Sequence, residues 1–231
     1  MFRITKASIL VRSAVILMIA AMAMVGGLST SALASDFEPG APLDGRLDEQ
    51  EIADILLMRE EEKLARDVYL ALGEQWDLRI FTNISMAEQQ HMNSVLTLIE
   101  DYGLEDPVGD HPEGVFTNPD LQALYDQLVS QGQASVGAAL KVGGAIEEID
   151  ILDLEAAFAR TDHDDIRLVY SSLECGSDNH LRAFVRTLKQ QTGETYAPQY
   201  LDQAAYDAIL AGSQGPCSMS LRHYLPLTLA P

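Results

Sequence analysis

Met86-Ala87-Glu88-Gln89-Gln90-His91 places a glutamate and a histidine three residues apart inside a stretch that reads as helix. That spacing sets both side chains on one face, about one turn apart, where they can hold a single metal ion. Alone the motif says little, because both residue types are common and an acidic helix face is usually just solvated. Its weight comes from company. Each of the other long helical stretches also carries a carboxylate or an imidazole at a position that reads as interior.

Upstream, the apolar residues Ile52, Ile55, Leu56, Met58, Ala65 and Tyr69 recur at helical spacing. They predict a first helix over 48–72, stopped by Gly73. Ser85 is expected to cap a second helix that runs through Tyr102 and closes at Gly103. Residues 104–119, rich in proline and glycine and carrying His111, read as loop. Asn118-Pro119-Asp120 then opens a short helix that ends near Ser130. A third long helix is predicted over 134–160, where Gly137, Gly143 and Gly144 allow a neighbour to approach closely or mark a bend. Asp162 or Asp164 is expected to cap the fourth, which runs to Gln191 before a stop at Gly193. A short helix over 201–210 and an irregular tail from 213 complete the chain. There is no strand pattern, repeat or phosphate loop, so the fold class is all-α. The first two long helices are expected to be joined by about a dozen residues and the last two by a few, which favours two antiparallel hairpins. The longer stretch between the pairs can return the chain along the helices as a crossover.

Three glutamates, Glu60, Glu61 and Glu62, sit between apolar flanks in the first helix, so one of them must point inward. Glu62 shares a face with Ile55, Met58, Ala65 and Tyr69, while Glu61 shares one with Leu57, Leu64 and Val68. Periodicity leaves these two tied. In the third helix Glu147 falls in a stripe with Ile151, Leu154 and Phe158, Asp150 lies between that stripe and Ile146, and Glu148 points away from both. In the fourth, His180 shares a stripe with Leu173, Ser177 and Phe184. Several carboxylates cannot be desolvated together without taking up protons or meeting a cation. Two divalent ions bridged by glutamates would resolve this, and oxygen ligands with a few imidazoles suit iron or manganese. His111, His163 and His223 have no matching partner and read as surface residues, and Asp162-His163-Asp164-Asp165 reads as a capped helix start.

The 231 residues are 47% hydrophobic, ample for one globular domain with a sizeable core. Arg3, Lys6 and Arg12 precede an apolar run over 14–28, and Ala32-Leu33-Ala34 follows as a small-residue cleavage site. This predicts a secretory signal peptide over 1–34, cleaved after Ala34, then a flexible lead-in over 35–46 and a helical domain over 47–212. The mature protein is expected to be exported, periplasmic or extracellular, with no membrane association after cleavage. Removing those three cations takes the formal charge from −20 to −23. Such a surface repels nucleic acid and anionic membranes and attracts cations. Cys175 and Cys217 are either one disulfide or two buried thiols.

Glu62-Lys63-Leu64-Ala65-Arg66-Asp67-Val68-Tyr69 resembles the first-helix motif of the ferritin-like and rubrerythrin-like di-iron proteins, and Glu88-Gln89-Gln90-His91 resembles their second-helix Glu-x-x-His. With the third-helix carboxylates and Asn179-His180-Leu181-Arg182-Ala183-Phe184, the chain is similar to the exported prokaryotic family of domain of unknown function 2202 from about Glu51 to Leu210. The resemblance favours Glu62 over Glu61. It implies a ferritin-like four-helix bundle around two ions held by Glu62, Glu88, His91, Glu147 and His180. Glu88 would bridge and the two histidines would be terminal ligands. The chain departs from the pattern at Ser177, where a bridging glutamate is expected three residues before His180. Glu174 is out of phase with His180. Asp150 is then the substitute carboxylate, and without it the site would hold one ion or none. The implied function is a di-iron or di-manganese protein acting on dioxygen or peroxide. The alternatives are a metal store without turnover and a bundle that has lost its metal. Tyr69 would relay an electron or simply pack, and Asn179 and Arg182 would orient the site. The short helices favour a dimer, if any oligomer, over a large cage.

Overall fold

Asp48 opens the folded part of the chain with a reciprocal cap. Its carboxylate accepts from Glu51 N at 2.7 Å, and the Glu51 carboxylate accepts from Asp48 N at 2.9 Å. The structure is a computed structural model that describes residues 46–212 and Cys217. The expected signal peptide, nearly all of the lead-in, the rest of the tail and His223 lie outside the described residues. The compact unit that contains the helices begins at Asp48. It is all-helical among the described residues: α1 (Glu49–Trp76), α2 (Arg79–Asp101), α3 (Pro119–Gly132), α4 (Val136–Phe158), α5 (Asp164–Thr192) and α6 (Gln203–Ala211).

The first connection differs from expectation. Gly73 does not stop α1, and Ser85 does not cap α2. Instead α1 continues to Trp76, Asp77 takes the left-handed conformation (φ 50°) and returns its N–H to Gly73 O, and α2 starts after Leu78. Gly73 is there for packing. A Cβ on it would stand 3.2 Å from Cβ of Phe81, so the bare backbone lets the start of α2 press against the end of α1. Ser85 is buried inside α2, its hydroxyl donating to Thr82 O. At the other hairpin, Ser135 caps α4, and α5 starts at His163 with no side-chain cap rather than at an aspartate, leaving Asp164 and Asp165 in the first turn. His163 is not a free surface residue, since its Nε2 lies 3.7 Å from Glu51 Oε2 and its ring meets Tyr102 edge-on.

Cross-helix pairs fix the directions. Arg66 meets Gln89, Glu62 meets His91 and Arg59 meets the Met92 carbonyl, so α1 and α2 run antiparallel. Gly143 faces Phe184 and Glu147 faces His180, which makes α4 and α5 antiparallel too. Tyr69 reaches Glu147 from α1, and Glu88 reaches His180 from α2. The four long helices therefore form a ring in which α1 touches α2 and α4, and α5 touches the same two. The connection from α2 to α4 carries α3 against α1 and α4. Buried Lys63 anchors it, paired with Asp67, donating to Pro112 O at 3.0 Å and lying over the Phe116 ring; Asp67 also accepts from Gly114 N.

Glu148, expected to point away from the interior, is fully buried. It faces the segment after α5, where it accepts from Tyr196 Oη at 2.7 Å and from the backbone N–H groups of Gln199, Tyr200 and Leu201. Three donors in a row make the carboxylate the anchor of that segment. Glu148→Gln keeps the volume and removes the charge, and is expected to cost about 2–3 kcal/mol, read as a lower denaturant midpoint. Cys175 and Cys217 form a disulfide, which ties the chain beyond α6 to α5. Asn179 Nδ2 donates to Cys217 Sγ, and Arg182 bridges Asn179 Oδ1 and the Ile209 carbonyl. These two polar residues thus serve the α5–α6 junction.

Candidate metal centre

Each long helix sends at least one polar side chain into the middle of the ring: Glu62 from α1, Glu88 and His91 from α2, Glu147 and Asp150 from α4, and His180 from α5. The three glutamates among them are at most 1% exposed, and Asp150 is 4% exposed. Apolar neighbours put them there, because Ile55, Met58, Ala65 and Tyr69 bury the Glu62 face of α1, and Leu173 and Phe184 bury the His180 face of α5.

Ligand-type atoms converge in two overlapping groups. Glu62, Glu88 and His91 offer one atom each within 4.8 Å of one another, and so do Glu88, Glu147 and His180. Glu88 belongs to both, with one oxygen toward each imidazole. Its Oε2 lies 2.8 Å from His91 Nδ1 and its Oε1 lies 2.9 Å from His180 Nδ1. The two rings stack with centroids 5.5 Å apart. Glu147 is oriented from behind by the Tyr69 hydroxyl, which donates to Oε1 at 2.6 Å and leaves Oε2 facing His180 at 3.4 Å.

The carboxylate oxygens of the cluster outnumber the donors that serve them. Glu62 Oε1 and Asp150 Oδ2 are buried without a hydrogen-bond partner, while Glu88 Oε1 and Glu147 Oε2 share the single His180 Nδ1 at 2.9 and 3.4 Å. Two orphaned carboxylate oxygens, with two more served by one imidazole nitrogen, are a large polar debt for a protein interior. Glu62, Glu88, Glu147 and His180 belong to the two ligand groups, whose converging atoms a cation would satisfy. The residues present therefore fit a metal.

Protonation follows the same logic. Burial pushes Glu62 up to about 7, against the opposing pull of His91. Burial also raises Glu147, with His180 opposing. Asp150 is held well above the usual carboxylate range by burial and then by Glu62 and Glu147. Glu88 goes the other way: burial resists its ionisation, but His180 and His91 on its two sides hold it below the usual range. The imidazoles are correspondingly raised despite burial, His91 by Glu62 and Glu88, and His180 to about 10 by Glu88 and Glu147.

All six sequence-predicted residues are thus interior, but Asp150 is in neither three-residue group; it is their electrostatic neighbour. Ser177 is buried with its hydroxyl turned back to Leu173 O, and Glu174 is buried outside both groups. Sequence reasoning missed Gly176, which lies against His91. Glycine in a helix centre next to the His180 stripe was the available signal.

Fold and site together define an all-helical protein with a buried carboxylate–imidazole cluster shared by four helices. Its sequence matches the family described as Uncharacterized protein domain (DUF2202) over residues 51–213, and the chain belongs to that family. It is 48% identical over 167 residues to the uncharacterized protein MJ0754 of Methanocaldococcus jannaschii, covering 72% of this chain and 90% of the relative. The crystal structure of hypothetical protein MJ0754 from Methanococcus jannaschii superposes with a TM-score of 0.71 at 46% identity, covering 78% of this chain and all of that one.

Proposed function

We propose that this is an exported, ferritin-like metal protein whose four long helices hold two divalent ions, iron or manganese, and which reacts with dioxygen or peroxide. The observation that carries the reading is the pair of ligand groups sharing Glu88, each with its own imidazole and a further glutamate. A shared carboxylate flanked by two such groups is the donor arrangement of a two-ion centre. Glu62 and His91 would hold one ion, Glu147 and His180 the other, with Glu88 between them and Asp150 supplying the carboxylate that Ser177 does not. The oxygen-rich donor set with one imidazole per ion favours iron or manganese over softer metals. Such ions supply one-electron chemistry with small oxidants. The protein's own part is to place Glu88 between two imidazoles, to fix Glu147 through Tyr69 and to wall the cluster with apolar side chains.

The test is elemental analysis of the mature chain produced with iron and manganese available, followed by oxidant consumption. About two ions per chain are expected. One ion would mean that Asp150 does not replace the missing fourth-helix glutamate. No metal in folded protein would refute the reading and leave a metal-free helical domain in which imidazolium and carboxylate neutralise each other. Metal uptake without oxidant consumption would identify a binding or storage protein, for which the acidic surface is a cation-attracting field.

A further inference from the structure

Gly176 sits in the middle of α5, buried, one residue before Ser177. A Cβ added there would stand 2.5 Å from both Cε1 and Nε2 of His91, which reach across from α2. Real Cβ atoms do not come that close to a neighbour. Nor is the ring at liberty to swing aside. On its other edge Nδ1 lies 2.8 Å from Glu88 Oε2 and 3.2 Å from Glu62 Oε2, and its face stacks on His180. Mid-helix glycine is unfavourable relative to alanine. The left-handed freedom of glycine is not used, since Gly176 is not among the residues with positive φ. What the position provides is the absence of a side chain.

We propose that Gly176 is a positioning residue for one of the two ion positions: the bare α5 backbone is the floor on which the Cε1–Nε2 edge of His91 rests, and this turns Nδ1 toward Glu62 and Glu88. The proposal rests on reading the cluster as a metal centre. It carries an asymmetry. An added Cβ at 176 meets His91 and not His180, so Gly176→Ala disturbs the Glu62–Glu88–His91 group and spares the Glu88–Glu147–His180 group.

Two measurements on the mature chain test it. In a manganese titration, Gly176→Ala is expected to weaken one ion by roughly 10- to 100-fold and to leave the other unchanged. Unchanged binding of both ions, or equal weakening of both, would overturn the proposal. The second measurement is thermal unfolding of metal-free protein in a double-mutant cycle with His91→Asn, which deletes Cε1 and Nε2 and keeps a short polar side chain. Gly176→Ala is expected to lower the midpoint in the wild-type background. In the His91→Asn background it should leave the midpoint unchanged or raise it, because only the helix-forming advantage of alanine remains. Equal effects in the two backgrounds would assign Gly176 to general packing and overturn the proposal. A wild-type chain that takes up no manganese refutes the metal reading and the proposal with it. A wild-type chain that binds two ions beside an unaffected Gly176→Ala refutes the proposal alone.

Discussion

Glu88→Ala is expected to empty both ion positions at once, whereas His91→Ala and His180→Ala each empty one. Glu88 is the only side chain common to both ligand groups among the described residues. Removing it takes an oxygen from each position and leaves two imidazoles facing each other across a gap. Elemental analysis should therefore read near zero for Glu88→Ala and about one ion per chain for each histidine variant. Equal losses in all three would mean that the two groups are one site. A readout independent of metal accompanies this. In the metal-free protein, His180 is held near pKa 10 against burial, with Glu88 the leading opposing cause and Glu147 the next. Glu88→Ala removes the larger of the two while the burial stays, so the His180 titration followed by NMR should move down, toward or below its ordinary 6.5. A titration that stays near 10 would show that Glu147 alone sets it.

The six interior residues were legible because a charged side chain inside an apolar helical stripe is self-announcing: the stripe must be buried, and the charge goes with it. Glu147 and His180 follow from this reasoning directly. Between Glu61 and Glu62 periodicity was tied, and burial of the fuller face, Ile55, Met58, Ala65 and Tyr69, puts Glu62 in the cluster. Glu148 was misread for the same reason that Glu147 was read correctly. A single helix axis defines one inward direction, but α4 is buried on two sides, against the ring and against the segment over 196–201, so a residue facing away from the first side met the second. Nothing local in the sequence of α4 announces that segment.

Helix ends were the other loss. Gly73 and Ser85 are ordinary stop and cap residues, yet here glycine serves close approach to Phe81 and serine bonds back within its own helix. The actual turn relies on Asp77 in a left-handed conformation, which asparagine and aspartate tolerate better than most residues. Sequence signals for caps are statements about backbone dihedrals, and tertiary packing reassigns them without changing the residues. The antiparallel hairpins survived this error because a two-residue link reverses the chain as surely as a longer one.

Metal-free protein is expected to lose stability as pH rises from about 5 to about 8, and a divalent ion is expected to remove that loss. The sign follows from which state holds the proton. Glu62 has an ordinary value of 4.5 and is raised to about 7 in the fold, so between those values the folded chain binds more protons than the unfolded one. Its contribution is complete below 4.5 and is lost as pH climbs through 7, a loss on the order of 3 kcal/mol. Glu147 and Asp150 are raised as well and act with the same sign. His180 continues the trend, since its contribution is complete below 6.5 and is lost only as pH approaches 10. Glu88 opposes, but on the acid side: its lowered value contributes stability above 4.5 that disappears as pH falls. The metal-free maximum should therefore lie near pH 5. Divalent manganese opposes that loss, because it takes the place of the protons held by Glu62 and its neighbours and binds more tightly as those protons leave. Denaturant midpoints with and without saturating manganese at the two pH values measure this directly. A metal-free midpoint that is flat or rises with pH would mean that the carboxylates already meet water or cationic side chains in the folded state, and the case for a cation among them would lose its physical basis.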